Sequence, residues 1–150
     1  MNWKVEKIKD RETLSKAMKI REEVFVKEQK VAPEEEYDAF ENIASHFIVY
    51  DGKKEIGTAR WRHTEKGIKL ERFAVIKVYR GKGVGSLLVK AVLEDIFSHS
   101  VNTKKTIYLH GQVTAMGLYE KFGFEKIGSL FVECGIDHFL MQFDSKKQIK

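Results

Sequence analysis

Between Leu70 and Phe97 the chain reads LERFAVIKVYRGKGVGSLLVKAVLEDIF, and this stretch limits what the rest can fold into. An apolar strand-like run, Phe73 to Ile76, meets a turn that closes in Arg80-Gly81-Lys82-Gly83-Val84-Gly85-Ser86. Val84, Leu87, Leu88, Ala91, Val92 and Ile96 then recur on one helical stripe. A strand must therefore end, the backbone must turn through glycines, and a helix must begin. Glycine permits positive φ and removes Cβ bulk, so bare N–H groups can approach a ligand. The first turn of a helix leaves its N–H groups unpaired and partly positive. The combination is a cradle for phosphate, to which Arg80 and Lys82 add full charges.

Two common phosphate loops are excluded. The spacing Gly81, Gly83, Ser86 lacks the last glycine of G-x-G-x-x-G, and no G-x-x-x-x-G-K-[ST] occurs. What stands here is Arg-x-x-Gly-x-Gly, Arg80 to Gly85, after the strand run LERFAV and ahead of LYEKFGF at Leu118 to Phe124. These blocks resemble the acetyl-CoA pyrophosphate loop and the helical tyrosine before Gly-Phe of the GNAT N-acetyltransferase superfamily. The segment Ile20 to Gln29 with the acidic stretch after it, and the end Phe131 to Met141, resemble a small bacterial branch of glyphosate N-acetyltransferase-like and ElaA-like proteins. In its closing hairpin Gly135-Ile136-Asp137-His138-Phe139-Leu140-Met141 matches the branch layout, with Asp137 where proline is frequent.

The remaining elements read in order as follows. Trp3 to Ile8 is a strand, and Asp10, with Thr13 as rival, caps a helix carrying Leu14, Ala17, Met18, Arg21 and Phe25 on one face. Arg21 interrupts that apolar stripe. It either reaches past it to water or lines a pocket and holds an anionic group of a substrate. Pro33 ends the helical region. Glu34, Glu35, Glu36, Asp38 and Glu41 follow, read as a solvated loop or short helix, since the run lacks calcium-loop spacing. A negative rim attracting an amine is the other functional reading. His46 to Tyr50, Glu55 to Arg62 and Ile68 to Val75 form an antiparallel meander. Thr106 to His110 is a strand, Gln112 to Phe122 a helix ended by Gly123, and Glu125 to Glu133 and His138 to Phe143 two last strands. The order β-α-βββ-α-β-α-ββ predicts one α/β domain over residues 1–150, a mixed sheet between helices in three layers, as the GNAT resemblance also implies.

Composition excludes other classes. The net charge of +5 suggests nucleic acid, but lysines and arginines alternate with acids almost everywhere, and the dense basic run is confined to Lys146 to Lys150. No nucleic-acid partner is expected. No apolar run is long enough to span a bilayer, the first residues lack an apolar signal core, and the single cysteine, Cys134, suits a reducing cytosol. A cytoplasmic enzyme is expected, as a monomer or homodimer. His46, His63 and His99 are scattered without zinc spacing, so no metal is expected.

The superfamily resemblance implies acetyl-CoA as cosubstrate. Its site would comprise Phe73, Ala74, Val75, Arg80, Gly81, Lys82, Gly83, Val84, Gly85, Ser86, Gln112, Met116 and Tyr119. It implies transfer to the primary amine of a small acceptor, such as an amino acid, its phosphonate analogue or an amino-sugar phosphate. A peptide amine, or a CoA sensor without catalysis, is the alternative. Tyr119 is the candidate acid for the departing thiolate, since a phenol keeps its proton at neutral pH. For the base, Glu71, His110 and His138 stand open. Glu71 lies at the cofactor strand, and His138 matches the branch histidine. In a regular strand Glu71 and the adjacent Arg72 face opposite sides. Arg21 and Arg72 would hold an anionic acceptor. Cys134 has no neighbouring histidine in sequence to activate it.

Overall fold

Asp10 caps the first helix: its side chain accepts from the Thr13 N–H at 2.7 Å, so of the two candidates Asp10 does the capping. The helix, α1 (Arg11–Arg21), runs directly into a π-helical segment, Glu22–Glu28. Val24 and Phe25 of this segment are buried in the core. A computed structural model describes residues 2–144.

The sheet has seven strands: β1 (Trp3–Lys7), β2 (Ser45–Asp51), β3 (Lys54–Thr64), β4 (Gly67–Val75), β5 (Ile107–Gln112), β6 (Phe124–Glu133) and β7 (Ile136–Phe143). Their spatial order is β1-β2-β3-β4-β5-β7-β6, antiparallel except for β4 beside β5. Helices α2 (Pro33–Glu36), α3 (Val84–Phe97) and α4 (Met116–Glu120) complete the order. The short α2, which the proline at its first position starts, is the short helix that was one reading of the acidic segment.

The alternation along β3 assigns the layers. Gly57 and Trp61 face α3: a Cβ at Gly57 would lie 3.0 Å from Val84 Cγ1, and Trp61 Nε1 donates to Asp95 at 3.0 Å. Thr58 and Arg60 point to the opposite face, where Arg60 meets Glu41, itself held by Arg21 of α1. Helices thus cover both faces of the mixed sheet, as expected. Ile48, Ile56, Ile68, Leu88 and Ile96 are fully enclosed between the layers. Among the described residues no helix is long and apolar enough to cross a membrane.

One boundary differs from the sequence reading in a way that matters. Gln112 does not open a helix. It ends β5 opposite His138 of β7, and the helix proper begins only at Met116 after a 3₁₀ turn. The β5–β7 ladder overrides the local helical pattern at Gln112 and extends the strand beyond His110 through Gly111 and Gln112.

Candidate active site

Strands β4 and β5 pair only at Ile68, Lys69 and Leu70 with Ile107, Tyr108 and Leu109. Beyond Leu70 they diverge. β4 continues to Val75 on its β3 side, while β5 turns its pairing to β7. The gap opens into a cleft of about 720 Å³ that runs past the glycine turn. Along it, β4 backbone from Glu71 onward has no strand partner on the β5 side.

Arg72 has φ 59° and marks a bulge where β4 slips register against β3. Regular alternation breaks there, so Glu71 and Arg72 both line the cleft instead of facing opposite ways. Phe73, Ala74 and Val75 line it too.

The glycine turn is built as the sequence predicts. Gly83 caps α3 at φ 97° with no side-chain cap bond, and the first amide taken up there is that of Leu87, on Gly83 O at 3.1 Å. A Cβ at Gly83 would meet nothing within 4 Å, so its glycine serves backbone conformation and access to the cleft. At Gly85 the reason is packing: a Cβ would sit 3.0 Å from Leu118 Cδ2, holding α4 close to α3. Open amides at a helix N-terminus, with space before them, fit the pyrophosphate of CoA. Gly83→Ala should destabilise the chain by about 1–2 kcal/mol, the cost of a left-handed non-glycine residue. CoA affinity should fall with it; chemical unfolding and calorimetry with CoA check both.

The cations around this loop are arranged differently from the sequence expectation. Arg80 donates through Nε to Val75 O at 2.9 Å and is paired through both terminal nitrogens with Glu28, so its charge is already met. Lys82 lies over the Tyr79 ring, 5.7 Å from its centroid, and is not among the residues lining the cleft. Lys121 does line it and donates to Ser86 Oγ at 2.6 Å. Nothing local in sequence pairs Lys121 with Ser86; only the packing of α4 on α3 does. Of the residues expected at the cofactor from the second motif, Gln112 and Tyr119 line the cleft, whereas Met116 packs against the core. Gln112 is tied to Gln29, its Nε2 donating to Gln29 Oε1 at 3.0 Å.

Tyr119 is buried, its ring edge-on to Phe73 at 5.7 Å and to Phe124 at 6.3 Å. Burial pushes its phenol above the ordinary value, so the proton stays on the oxygen at neutral pH. His138 also lines the cleft and is 7% exposed. Its Nδ1 is 2.7 Å from Ile136 O. A carbonyl only accepts, so Nδ1 carries the hydrogen and Nε2 keeps a free lone pair. Glu71 is placed otherwise. Burial alone would raise its carboxyl, but Arg60, Arg62 and Lys69 outweigh that and hold it below the usual range. A carboxylate so stabilised is a weak proton acceptor.

Arg21 is 1% exposed and does not reach the cleft. Its Nε donates to Glu36 at 2.6 Å and its terminal nitrogens to Glu41 at 2.8 and 2.9 Å. The expectation that it holds an anionic acceptor is therefore corrected: its charge is met inside the protein. The acidic segment is no solvated loop either. Glu36, Asp38 and Glu41 fold inward onto Arg21, Arg60 and Arg72. Arg72, half-buried at the bulge, keeps some side-chain exposure at the cleft.

Histidine 110 and Glu133 were not paired in the sequence reading. They lie on β5 and β6, and His110 Nδ1 is 2.8 Å from Glu133 Oε2. That hydrogen bond brings the Glu133 carboxyl down to about 2. No group of three or more His, Cys, Asp or Glu that could hold a metal ion occurs among the described residues.

A sheet splayed beside a glycine turn into a helix, with open amides facing the gap, defines a protein that binds an acyl-CoA and works at its thioester. The Acetyltransferase (GNAT) domain family matches residues 7–145, and the chain belongs to that family. It is 39% identical over 137 residues to the uncharacterized N-acetyltransferase YjcF of Bacillus subtilis (strain 168), covering 91% of this chain and 96% of that one. It is 34% identical over 148 residues to YyaT of the same organism, covering 97% and 98%. Escherichia coli ElaA has a similar fold, with TM-score 0.81 at 23% identity over 95% of this chain and 99% of that one. So has a Bacillus subtilis acetyltransferase in complex with CoA, with TM-score 0.67 at 16% identity over 95% and 99%. The chain is an acyl-CoA-dependent N-acetyltransferase.

Proposed function

We propose that the acceptor is a small primary amine and that it attacks directly, with both substrates bound together. When bound, acetyl-CoA supplies the acetyl group as a thioester. The amides from Gly81 to Ser86 hold its pyrophosphate, with Lys121 beside them, and the unpaired β4 backbone near Phe73 to Val75 holds its arm and donates to the thioester oxygen.

An alkyl amine is protonated at neutral pH and attacks only after losing that proton. His138 takes it. The observation that carries this role is the Ile136 carbonyl on His138 Nδ1, which leaves Nε2 as an acceptor in the cleft that Tyr119 also lines. Tyr119 donates a hydrogen bond to the sulfur as negative charge develops there; as the C–S bond breaks its proton passes to the thiolate, and the second N–H proton of the acylated nitrogen returns to the phenol. Bonds to charged groups contribute about 1.5–3 kcal/mol, so Tyr119→Phe should lower kcat roughly ten- to a hundredfold. The acetyl-CoA KM should be little changed in steady-state kinetics. Arg72 lines the cleft with its charge shared between Glu36 and Asp38, and an acidic group on the acceptor would approach its exposed edge.

The test is thiol release from acetyl-CoA across amino acids, amino-sugar phosphates, simple alkylamines and short peptides. Release with a small amine, exceeding that with any peptide, is the expected result. Faster release with peptides would shift the acceptor class. Thermal stabilisation by CoA with no release on any amine would make the chain a sensor.

A further inference from the structure

We infer that Glu133, held in place by His110, forms the subsite at the cleft that receives the acceptor nitrogen as a primary ammonium cation, with the Phe131 ring packed behind it, an assignment that rests on the amine-acetyltransferase reading above. Three strands bring the groups together. Phe131 on β6 stands opposite His138 on β7, and Glu133 stands opposite Ile136. His110 comes from β5, two residues before Gln112, which is itself paired with His138. The Phe131 ring stacks on the His138 imidazole at 5.8 Å and 21°, and meets His110 edge-on at 5.2 Å and 80°. One aromatic ring thus joins the histidine expected to take the proton to a histidine–carboxylate pair.

The charge distribution in the cleft singles this end out. Glu71 is matched by Arg60, Arg62 and Lys69, and Glu36 by Arg21 and Arg72. Glu133 has His110 as its hydrogen-bonded partner, with weaker attraction from Lys69 and His138, and its side chain is 38% exposed. A carboxylate has room for about four hydrogen bonds. The one from His110 Nδ1 uses one of these and orients the carboxylate. The remaining carboxylate lone pairs attract an N–H cation. None of them attracts a carboxylate or a phosphate, so acidic groups on an acceptor would have to lie elsewhere, toward Arg72. An ammonium held here gives one proton to His138 Nε2 and then attacks as the neutral amine.

The full chain saturated with CoA is titrated with n-butylammonium chloride, n-butanol or sodium butyrate. The imidazole signals of His110 and His138, assigned with His110→Gln and His138→Gln, are followed by NMR. Butylammonium alone should move both signals saturably. Glu133→Gln should weaken that response at least tenfold at unchanged CoA affinity, and Glu133→Asp should restore part of it. No response to butylammonium, an equal response to butanol, or an unchanged response in Glu133→Gln overturns the subsite. An intact, Glu133-dependent response in a protein that releases no thiol with any amine would keep the subsite and remove the catalytic reading instead.

Discussion

Replacing His138 with alanine is expected to lower kcat by about 10²- to 10⁴-fold, the usual contribution of a placed general base. The reasoning is about proton inventory. With an amine pKa of about 10, roughly one acceptor in a thousand is free at pH 7. His138, through Nε2, makes the protonated majority usable. Without it the residual rate should follow the free amine, rising about tenfold per pH unit up to the amine pKa. CoA affinity should stay put, since His138 stands on β7, outside the Gly81–Ser86 loop. Some stability goes with the Phe131 stack, about 0.5–1.5 kcal/mol, which a melting curve separates from the catalytic loss. Glu71→Gln is the paired experiment. If Glu71 were the base, its loss would give the same pH profile; held by Arg60, Arg62 and Lys69, it should not. Wild-type turnover at pH 7 in His138→Ala ends the assignment.

Much of this architecture was readable where the determining contacts are local. The turn from Arg80 to Ser86 depends on glycines and a helix start within a few residues, and it is where the sequence reading put it. Of the two cap candidates the sequence offers, Asp10 does the capping. What was not readable depends on pairing across the chain. A helical pattern from Gln112 lost to the β5–β7 ladder. Alternation could not decide between Glu71 and Arg72, because a bulge at Arg72 suspends alternation. Arg21, Arg60 and Arg72 have their charges met by acids 11 to 36 residues away, and His110 meets Glu133 across 23 residues. A stripe-breaking arginine and a run of acids were both visible in the sequence. That each answers the other follows only once α1 and the segment after it lie against the sheet.

That buried charge cluster sets the largest stability effect. Arg60 is 1% exposed and donates to Glu71 at 2.7 Å, to Asp38 at 2.6 Å and to Glu41 at 2.7 Å. Arg60→Leu removes the guanidinium and leaves Asp38 with Arg72, Glu41 with Arg21, and Glu71 with Arg62 and Lys69, each short of one counter-ion. Removing one member of such a set costs about 3–5 kcal/mol, because what remains is buried charge without its counter-ion. At about 2–4 °C per kcal/mol for a domain of this size, Tm should fall by roughly 6–20 °C at pH 7. Arg60→Lys should recover only part of this, since one ammonium cannot fork to three carboxylates. The pH dependence identifies the cause. Burial would raise Asp38, but hydrogen bonds from Arg60 and from the Phe40 N–H bring it to about 2. A carboxyl held that low stabilises the fold above its unfolded value near 4, and the contribution disappears as pH falls toward about 2. Wild type should therefore lose more stability than Arg60→Leu on acidification, and the gap between them should narrow between pH 4 and 2. A constant gap across that range, or a Tm change under about 2 °C at pH 7, would mean the guanidinium is held by packing rather than by charge. Activity should fall along with stability, because Asp38 also accepts from Arg72 at 3.2 Å, and Arg72 forms the bulge that opens the cleft.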